Sequence, residues 1–494
     1  MLQRQSDQPL YLQLADQIAD DIRDGVYACG TKVPSVRKLA RQRGVSISTV
    51  TQAYAWLEDQ GWIHARPQSG YYVRSDMTPD EADLPPLSQG GEPRDVTKAE
   101  FINQMLTRIN RPATVNLGAA IPHSSWLPQR ALQTHIQKVS RFQTAEVLDY
   151  TFSPGLEELR SQIAVRMRDV GVRCLSDDIV VSHGCAEALT LCLRAITRPG
   201  DLVAVESPCY YGFLQIANML GLKIIEIPTD PQTGISIDAL KLALQQWPIK
   251  AIEVSSRYSN PTGCSVPLEN QKQLVQLASD YQVPLIEDDI YGDICFPTLR
   301  GQKHALHSVL KTHDKDGWVL YCSSFSKTVA AGLRVGWCIP GRWKNAVMQR
   351  QTFTTFSAAS LSQYAMLSYL QNGHYDRHLR QFRAKAAASM QRFTQAVREY
   401  FPAGTRVNEP GGGFILWISL PAGVSAMDLH YDALAESIVV VPGDLFSNTE
   451  HFSNYIRLST AMPWDDTVDG ALKTLGKLAS RQLRKTSGRT EGND

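Results

Sequence analysis

The residue with the most chemical reach in this chain is a lysine that follows a strand and a serine-rich loop. In CSSFSKTVAAGLRVGW, a strand over Val319 to Cys322 empties into the loop and Lys327 comes at once. Its amine can condense with an aldehyde when nearby positive charge lowers its pKa. Arg334 supplies a cation and Ser324 a hydroxyl, the combination that a phosphate dianion needs. A second anion cradle lies in VVSHGCAEALTL, where a strand ends at Ser182, Gly184 permits a tight turn and a helix starts near Cys185. Free amides at that helix N-terminus would hold an anion. The Cys185 thiol has two readings there, a reactive group or a small side chain whose amide is used; the second is simpler.

Other side chains suit an aromatic nitrogen ring. Asp288 in LIEDDIYGD falls at the C-terminal end of a strand over Pro284 to Ile286, where α/β proteins bind ligands. A carboxylate there keeps a pyridine nitrogen protonated, a charge-assisted bond worth roughly 1.5–3 kcal/mol. Tyr291 and Asn260 of SNPTG can donate to a phenolate oxygen on the same ring, and Tyr210 of ESPCYYG can stack on its face. Arg457 in YIRLST is a lone arginine in an apolar strand, and its fork suits a substrate carboxylate. Taken singly, each has an ordinary reading: a solvated lysine, a capping aspartate, a plain NPTG turn. Their order and spacing carry the case.

The elements that must position these residues form an alternating series. Short apolar runs recur at 179–181, 202–205, 224–227, 252–254, 284–286, 319–321 and 335–339, most followed by a helical pattern or a Gly/Pro loop. That rhythm predicts an α/β domain with a mainly parallel sheet covered by helices over about 99–480. Residues 76–98 are rich in Pro, Gly, Asp and Glu and read as a flexible linker. The end of the chain, 481–494, reads as a disordered tail.

The first 75 residues follow a different pattern. Leu10, Leu14, Ile18 and Ile22 make one helix face, and Gly25 is expected to end that helix. Pro34-Ser35 opens a second helix, Gly44-Val45-Ser46 makes a tight turn, and a third helix buries Val50, Ala53, Tyr54 and Leu57. Ser48, Thr49, Thr51 and Gln52 then lie outward near its N-terminus, where a recognition helix meets bases and phosphates. Lys32, Arg37, Lys38, Arg41 and Arg43 crowd the stretch from Gly30 to Leu57, which holds no acid. After Gly61, WIHARPQSGYYV reads as two strands turning at Gln68-Ser69-Gly70, a wing.

Composition sets bounds. Among 494 residues, 50 Lys and Arg against 49 Asp and Glu give a net charge of +1, so any nucleic-acid surface is local. No run of eighteen apolar residues appears, and MLQRQSDQPL lacks the apolar stretch of a secretory signal. Nine scattered cysteines without a CxxC pair suggest reduced thiols in a cytoplasm, with neither a disulfide framework nor a metal site.

Two resemblances follow. GTKVPSVRKLARQRGVSISTVTQAYAWLEDQGWIHARPQSGYYV resembles the GntR family of winged helix-turn-helix regulators. It implies DNA contacts from Ser35, Arg37, Ser48, Thr49, Arg66 and Gly70. Ile47 departs from the family, which often has an arginine there, and an isoleucine cannot bond a phosphate. About 370 residues of the larger part resemble class I aminotransferases of fold-type I, a large transferase fold with a small α/β subdomain that depends on pyridoxal 5'-phosphate. This implies Lys327 as the Schiff-base lysine, Asp288 on the ring nitrogen, Asn260 and Tyr291 on the ring oxygen, and Tyr210 against the ring. It further implies phosphate contacts from the Cys185 and Ala186 amides, Ser324 and Arg334, with Arg457 on the amino-acid carboxylate. Tyr150 in LDYTFSPGLEELR matches the tyrosine that reaches the partner subunit's phosphate, so a homodimer is implied.

Together the halves resemble regulators of the MocR/GabR type, which are head-to-tail dimers that sense pyridoxal phosphate or an amino compound condensing with it. The expected function is therefore a DNA-binding transcription regulator. Two rivals stay open: a working aminotransferase with an accessory DNA-binding arm, and a regulator whose cofactor is purely structural.

Overall fold

A computed structural model describes residues 9–23, 26–27, 30–59, 62–66, 70–73, 98–109, 114–296, 308–449 and 451–490. The chain divides into two compact units, Met1–Asp95 and Val96–Asp494.

In the first unit, α1 (Leu10–Arg23) buries Leu14, Ile18 and Ile22 along one stripe. α2 (Val36–Arg43) starts at Ser35, whose hydroxyl accepts the Lys38 amide at 3.4 Å, and stops at Gly44 in the left-handed region, φ +64°. Ser46 caps α3 (Ile47–Asp59) by accepting the Thr49 amide at 3.1 Å. Val50, Ala53, Tyr54 and Leu57 of α3 are fully buried, as their spacing requires. The hairpin β1 (Ile63–Arg66) and β2 (Gly70–Val73) pairs Ile63 with Val73. Gly25, Gln68, Ser69 and most of the expected linker lie outside the described residues.

The second unit opens with α4 (Lys98–Ile109), one residue earlier than the sequence suggests, and β3 (Val115–Asn116). Three helices follow, α5 (Gln129–Phe142), α6 (Thr144–Leu148) and α7 (Glu157–Met167). Then come β4 (Val180–His183), α8 (Cys185–Ile196), β5 (Leu202–Ser207), β6 (Lys223–Asp230), β7 (Gly234–Ile235) and β8 (Ile249–Val254). β9 (Leu285–Asp288), β10 (Val319–Ser324) and β11 (Val335–Ile339) complete one sheet in the order β4-β11-β10-β9-β8-β5-β6-β7. From β6 through β10 every pairing is parallel, whereas β11 runs against both its neighbours and β7 runs against β6.

Every residue of β9 and β10 is buried, because helices cover both faces. Ile286, Leu320 and Cys322 pack with α8 on one face. Tyr321 and Trp337 pack with α7 on the other. The last residue of β9 is Asp288 itself, so the strand runs past the apolar stretch at 284–286 and holds the carboxylate rigidly.

A smaller sheet, in the order β12-β13-β16-β15, comprises β12 (Arg406–Val407), β13 (Ile415–Ser419), β15 (Val441–Pro442) and β16 (Tyr455–Ser459). β14 (Ile438–Val439) pairs with β3 instead. Helices His374–Tyr400 and Asp466–Thr490 cover this sheet. The last of them corrects the reading of a disordered tail from 481, since helix continues to Thr490; residues 491–494 lie outside the described residues. Arg481 pairs with Asp432 at 3.3 Å, Gln482 accepts the Ser425 amide, and Leu483 packs on the core. Polar composition hid this anchoring.

Candidate cofactor site and nucleic-acid interface

The C-terminal ends of the parallel strands bring most of the expected cofactor residues together. Lys327 lies just past β10 and donates to the Ala120 carbonyl at 2.7 Å. Its Nζ sits 5.9 Å from the centre of the Tyr291 ring. Burial and then Arg457 push its pKa down to about 8, Asp288 opposing and Arg334 adding. Asp288 is 6% exposed, and burial raises its carboxyl to about 6. The Cys185 thiol faces it, Sγ to Oδ1 at 3.5 Å. Burial holds that thiol protonated, its pKa raised well above the usual value, which disfavours the reactive-thiol reading.

Gly184 precedes α8 with φ +79°, and a Cβ there would stand 2.6 Å from the Arg334 guanidinium. A Cβ on Gly336 would stand 2.4 Å from the Gly184 backbone. The start of α8, where Cys185 and Ala186 carry the first amides, is thus a cradle with glycine on two sides. Arg334 reaches it through its bond to the His183 carbonyl at 2.9 Å. Ser324 ends β10 nearby and accepts the Ser326 amide at 3.3 Å.

Tyr291 is buried edge-on to Phe414, with centroids 5.3 Å apart, and Tyr210 stands at the entry to the helix Tyr211–Met219. Burial raises both phenols above their ordinary pKa, so they are hydrogen-bond donors.

Arg457 is deeper than an arginine on an apolar strand need be, at 1% exposure in the middle of β16. Nη1 donates to Asn260 Oδ1 at 3.2 Å, Nη2 donates to the Gly118 carbonyl, and Nε has no partner among the described residues. The rings of Phe446 and Tyr211 lie 5.4 and 5.8 Å from its Cζ. No carboxylate among the described residues pairs with it, an expensive state for a buried cation. Asn260 turns its oxygen to Arg457, which leaves its amide nitrogen for a ring oxygen. These residues fit an aldehyde-bearing ring with a phosphate at one end and a carboxylate ligand at the other.

Tyr150 stands apart from the cluster. It is 67% exposed, stacked on Phe152 at 5.5 Å and 6.1 Å from Phe356. A single chain does not bring it to the other residues.

In the first unit, Ser48 and Thr49 are tied to the Ser46 hydroxyl at 2.7 and 2.8 Å. Ser35 and Arg37 are exposed at the start of α2. Arg66 and Gly70 face each other across the wing register, and Gly70 takes φ +115° beside Lys32. Glu58 ties α3 to the wing by accepting the Ala65 amide at 2.8 Å. Ile47 is 56% exposed. Arg43 is not a free cation: it pairs with Asp21 of α1 at 3.4 Å, an acid outside the stretch that made it seem unopposed.

Sequence reading missed the carbonyls of Gly118 and Ala120, the Cys185–Asp288 contact and a buried Arg257–Asp289 pair. Only the doubled aspartate in EDDIY carried a signal for the last, since successive strand residues face opposite ways.

The fold and this residue set define an aminotransferase-like chain with a winged helix-turn-helix reader. Residues 112–475 match the family of class I and II aminotransferases, and residues 10–73 match the gntR family of bacterial regulatory proteins. The uncharacterized HTH-type transcriptional regulator YjiR of Escherichia coli K12 is 38% identical over 475 residues, covering 96% of this chain and 99% of YjiR. Aromatic-amino-acid aminotransferase 1 of Thermococcus litoralis is 26% identical, covering 78% of this chain and 93% of its own. The α-aminoadipate aminotransferase LysN of Thermus thermophilus, solved with N-(5'-phosphopyridoxyl)-L-leucine, superposes with a TM-score of 0.69 at 24% identity, over 79% of this chain and all of LysN. The chain belongs to the class I and II aminotransferase family and carries a gntR-type DNA-binding domain, the organisation of MocR-type regulators. No helix among the described residues is long and apolar enough to cross a membrane, and no group of His, Cys, Asp or Glu among them is arranged for a metal.

Proposed function

We propose that this chain is a cytoplasmic transcription regulator whose larger domain holds pyridoxal 5'-phosphate and senses it, or an amino compound, by exchange at Lys327. When bound, the cofactor supplies an aldehyde that condenses with amines and a ring that draws electron density once its nitrogen is protonated. Lys327 would hold the aldehyde carbon. Asp288 would keep the ring nitrogen protonated, Asn260 and Tyr291 would donate to the ring oxygen, and Tyr210 would cover the ring face. The Cys185 and Ala186 amides, Ser324 and Arg334 take the phosphate, with Tyr150 of a second copy. Arg457 takes the ligand carboxylate.

One observation carries the sensing role: a fully buried arginine with a free Nε and no carboxylate partner among the described residues. A purely structural cofactor would leave it without purpose. Ser35, Arg37, Ser48, Thr49, Arg66 and Gly70 meet the DNA. A head-to-tail homodimer spans two half-sites in direct or inverted repeat. A ligand whose carboxylate engages Arg457 would favour one domain arrangement and so shift the preferred spacing of the readers.

The test is spectroscopic. The purified protein should show a visible absorbance band that Lys327→Ala abolishes, and amino compounds should shift the wild-type band without turnover. A band that survives Lys327→Ala refutes the lysine's role. Rapid keto-acid production from an amino-acid and oxoacid panel favours the second reading, an active aminotransferase with an accessory reader. That reading has its own support in the complete residue set around Lys327.

A further inference from the structure

Alternate residues of a strand face opposite sides of a sheet, and here a second polar cluster lies behind the first. Asp288 faces Cys185 of α8, whereas Asp289, Tyr321 and Ser323 line a cavity of about 30 Å³ on the side of α7. Trp337, 6% exposed, lines it too, and its indole N–H has no partner among the described residues. Arg257 grips Asp289 there with Nε to Oδ1 at 2.9 Å and a second bond from Nη2. Arg166, Arg257 and Asp293 also wall an adjoining groove of about 400 Å³, a volume that suits a small molecule.

The groove carries charge of both signs beyond its two ion pairs, with Asp293 also acting on Arg166 and Arg257. Arg166 is matched by Asp376 at 2.9 Å and Arg257 by Asp289. Arg380 and Arg383 share one face of the helix His374–Tyr400 and have no carboxylate partner among the described residues. Arg383 uses only Nε, on the Asp293 carbonyl at 2.7 Å. Facing them are Asp169, with no cation partner among the described residues, and Asp293, whose Oδ2 takes the Tyr375 hydroxyl at 2.6 Å. A plain anion meets these carboxylates and a plain cation meets the arginines, so neither is favoured.

We propose that this groove is a second ligand site, for a free α-amino acid. Its carboxylate lies on Arg380 and Arg383, and its ammonium lies on Asp293 and Asp169. Occupancy is felt close to the first site, because the Tyr375 hydroxyl also contacts Thr328 Oγ1 at 3.0 Å, next to Lys327, and Asp289 is next to Asp288.

The full-length chain carrying Lys327→Ala, prepared free of pyridoxal phosphate, has no aldehyde to capture an amine and leaves the groove intact. In that background, calorimetry would titrate glycine, L-glutamate and L-arginine, with propionate, ethylamine and inorganic phosphate as one-charge controls. An amino acid should bind, should weaken about tenfold or more with Arg380→Ala plus Arg383→Ala, and should be unaffected by Arg457→Ala. Arg380 is exposed, so Arg380→Ala alone serves if the double variant melts early. The proposal is overturned by failure of every amino acid to bind. It is equally overturned by phosphate or propionate binding as tightly, or by binding that vanishes with Arg457→Ala and survives the groove variants.

Discussion

Burial moves Lys327 and Asp288 in opposite directions, the amine down to about 8 and the carboxyl up to about 6. Both shifts favour the uncharged forms, as desolvation requires. The neutral amine is the form that attacks an aldehyde, and a lowered pKa extends that form toward neutral pH. Capture of pyridoxal phosphate by the cofactor-free protein should therefore rise with pH and level off above about 8. Stopped-flow absorbance between pH 6 and 11, roughly the span of an ordinary and a lowered lysine, reads this directly. A rate still climbing at about pH 10, the ordinary lysine range, means that the amine does not sit in this environment. Lys327, Asp288 and Asn260 were legible because each sits in a short motif whose order can be read. The depth of Arg457 was not, because an apolar strand is equally consistent with an edge or a centre. The Arg257–Asp289 pair joins residues just past the ends of β8 and β9, and the doubled aspartate hints at the acid but not at its partner.

At the scale of elements, the alternation of apolar run and helix was enough to give a mainly parallel sheet, and helical spacing gave the three-helix reader with its wing. Two boundaries went astray for one reason. β9 continues through polar Asp288, and the terminal helix continues through Arg481 and Gln482, because partners elsewhere satisfy those polar groups. The turn into α8 was legible from Gly184 alone, and its geometry is stricter than a turn requires. A side chain there meets an unfavourable φ of +79° and a contact of 2.6 Å with the Arg334 guanidinium. Gly184→Ala should thus push Arg334 from the cradle and weaken pyridoxal phosphate binding by about tenfold or more. The strain, on the order of 1–2 kcal/mol, should leave the chain folded. Titration of the cofactor by absorbance, beside a thermal melt, separates the two effects; unchanged affinity would place the phosphate elsewhere.

For the molecule as a whole, a net charge of +1 conceals a division of labour. The two units are compact separately, so loss of a phosphate contact at the reader should leave the cofactor absorbance of the other unit intact. Arg37 tests this at the reader. It is exposed on α2 with no ion-pair partner among the described residues, and it is free to meet a phosphate. Arg43 closes the same helix but is held by Asp21 at 3.4 Å and by Gln17. Each phosphate neutralised contributes about 0.9 to the slope of log K against log salt. Arg37→Ala should therefore reduce that slope by about 0.9, whereas Arg43→Ala should reduce it by clearly less, because its charge is already answered within the protein. The visible absorbance should be unchanged in both variants. Equal slopes for the two variants would mean that the Arg43–Asp21 pair opens on DNA and both arginines reach the backbone. A lost absorbance band in either would mean that the two units do not act as separate bodies.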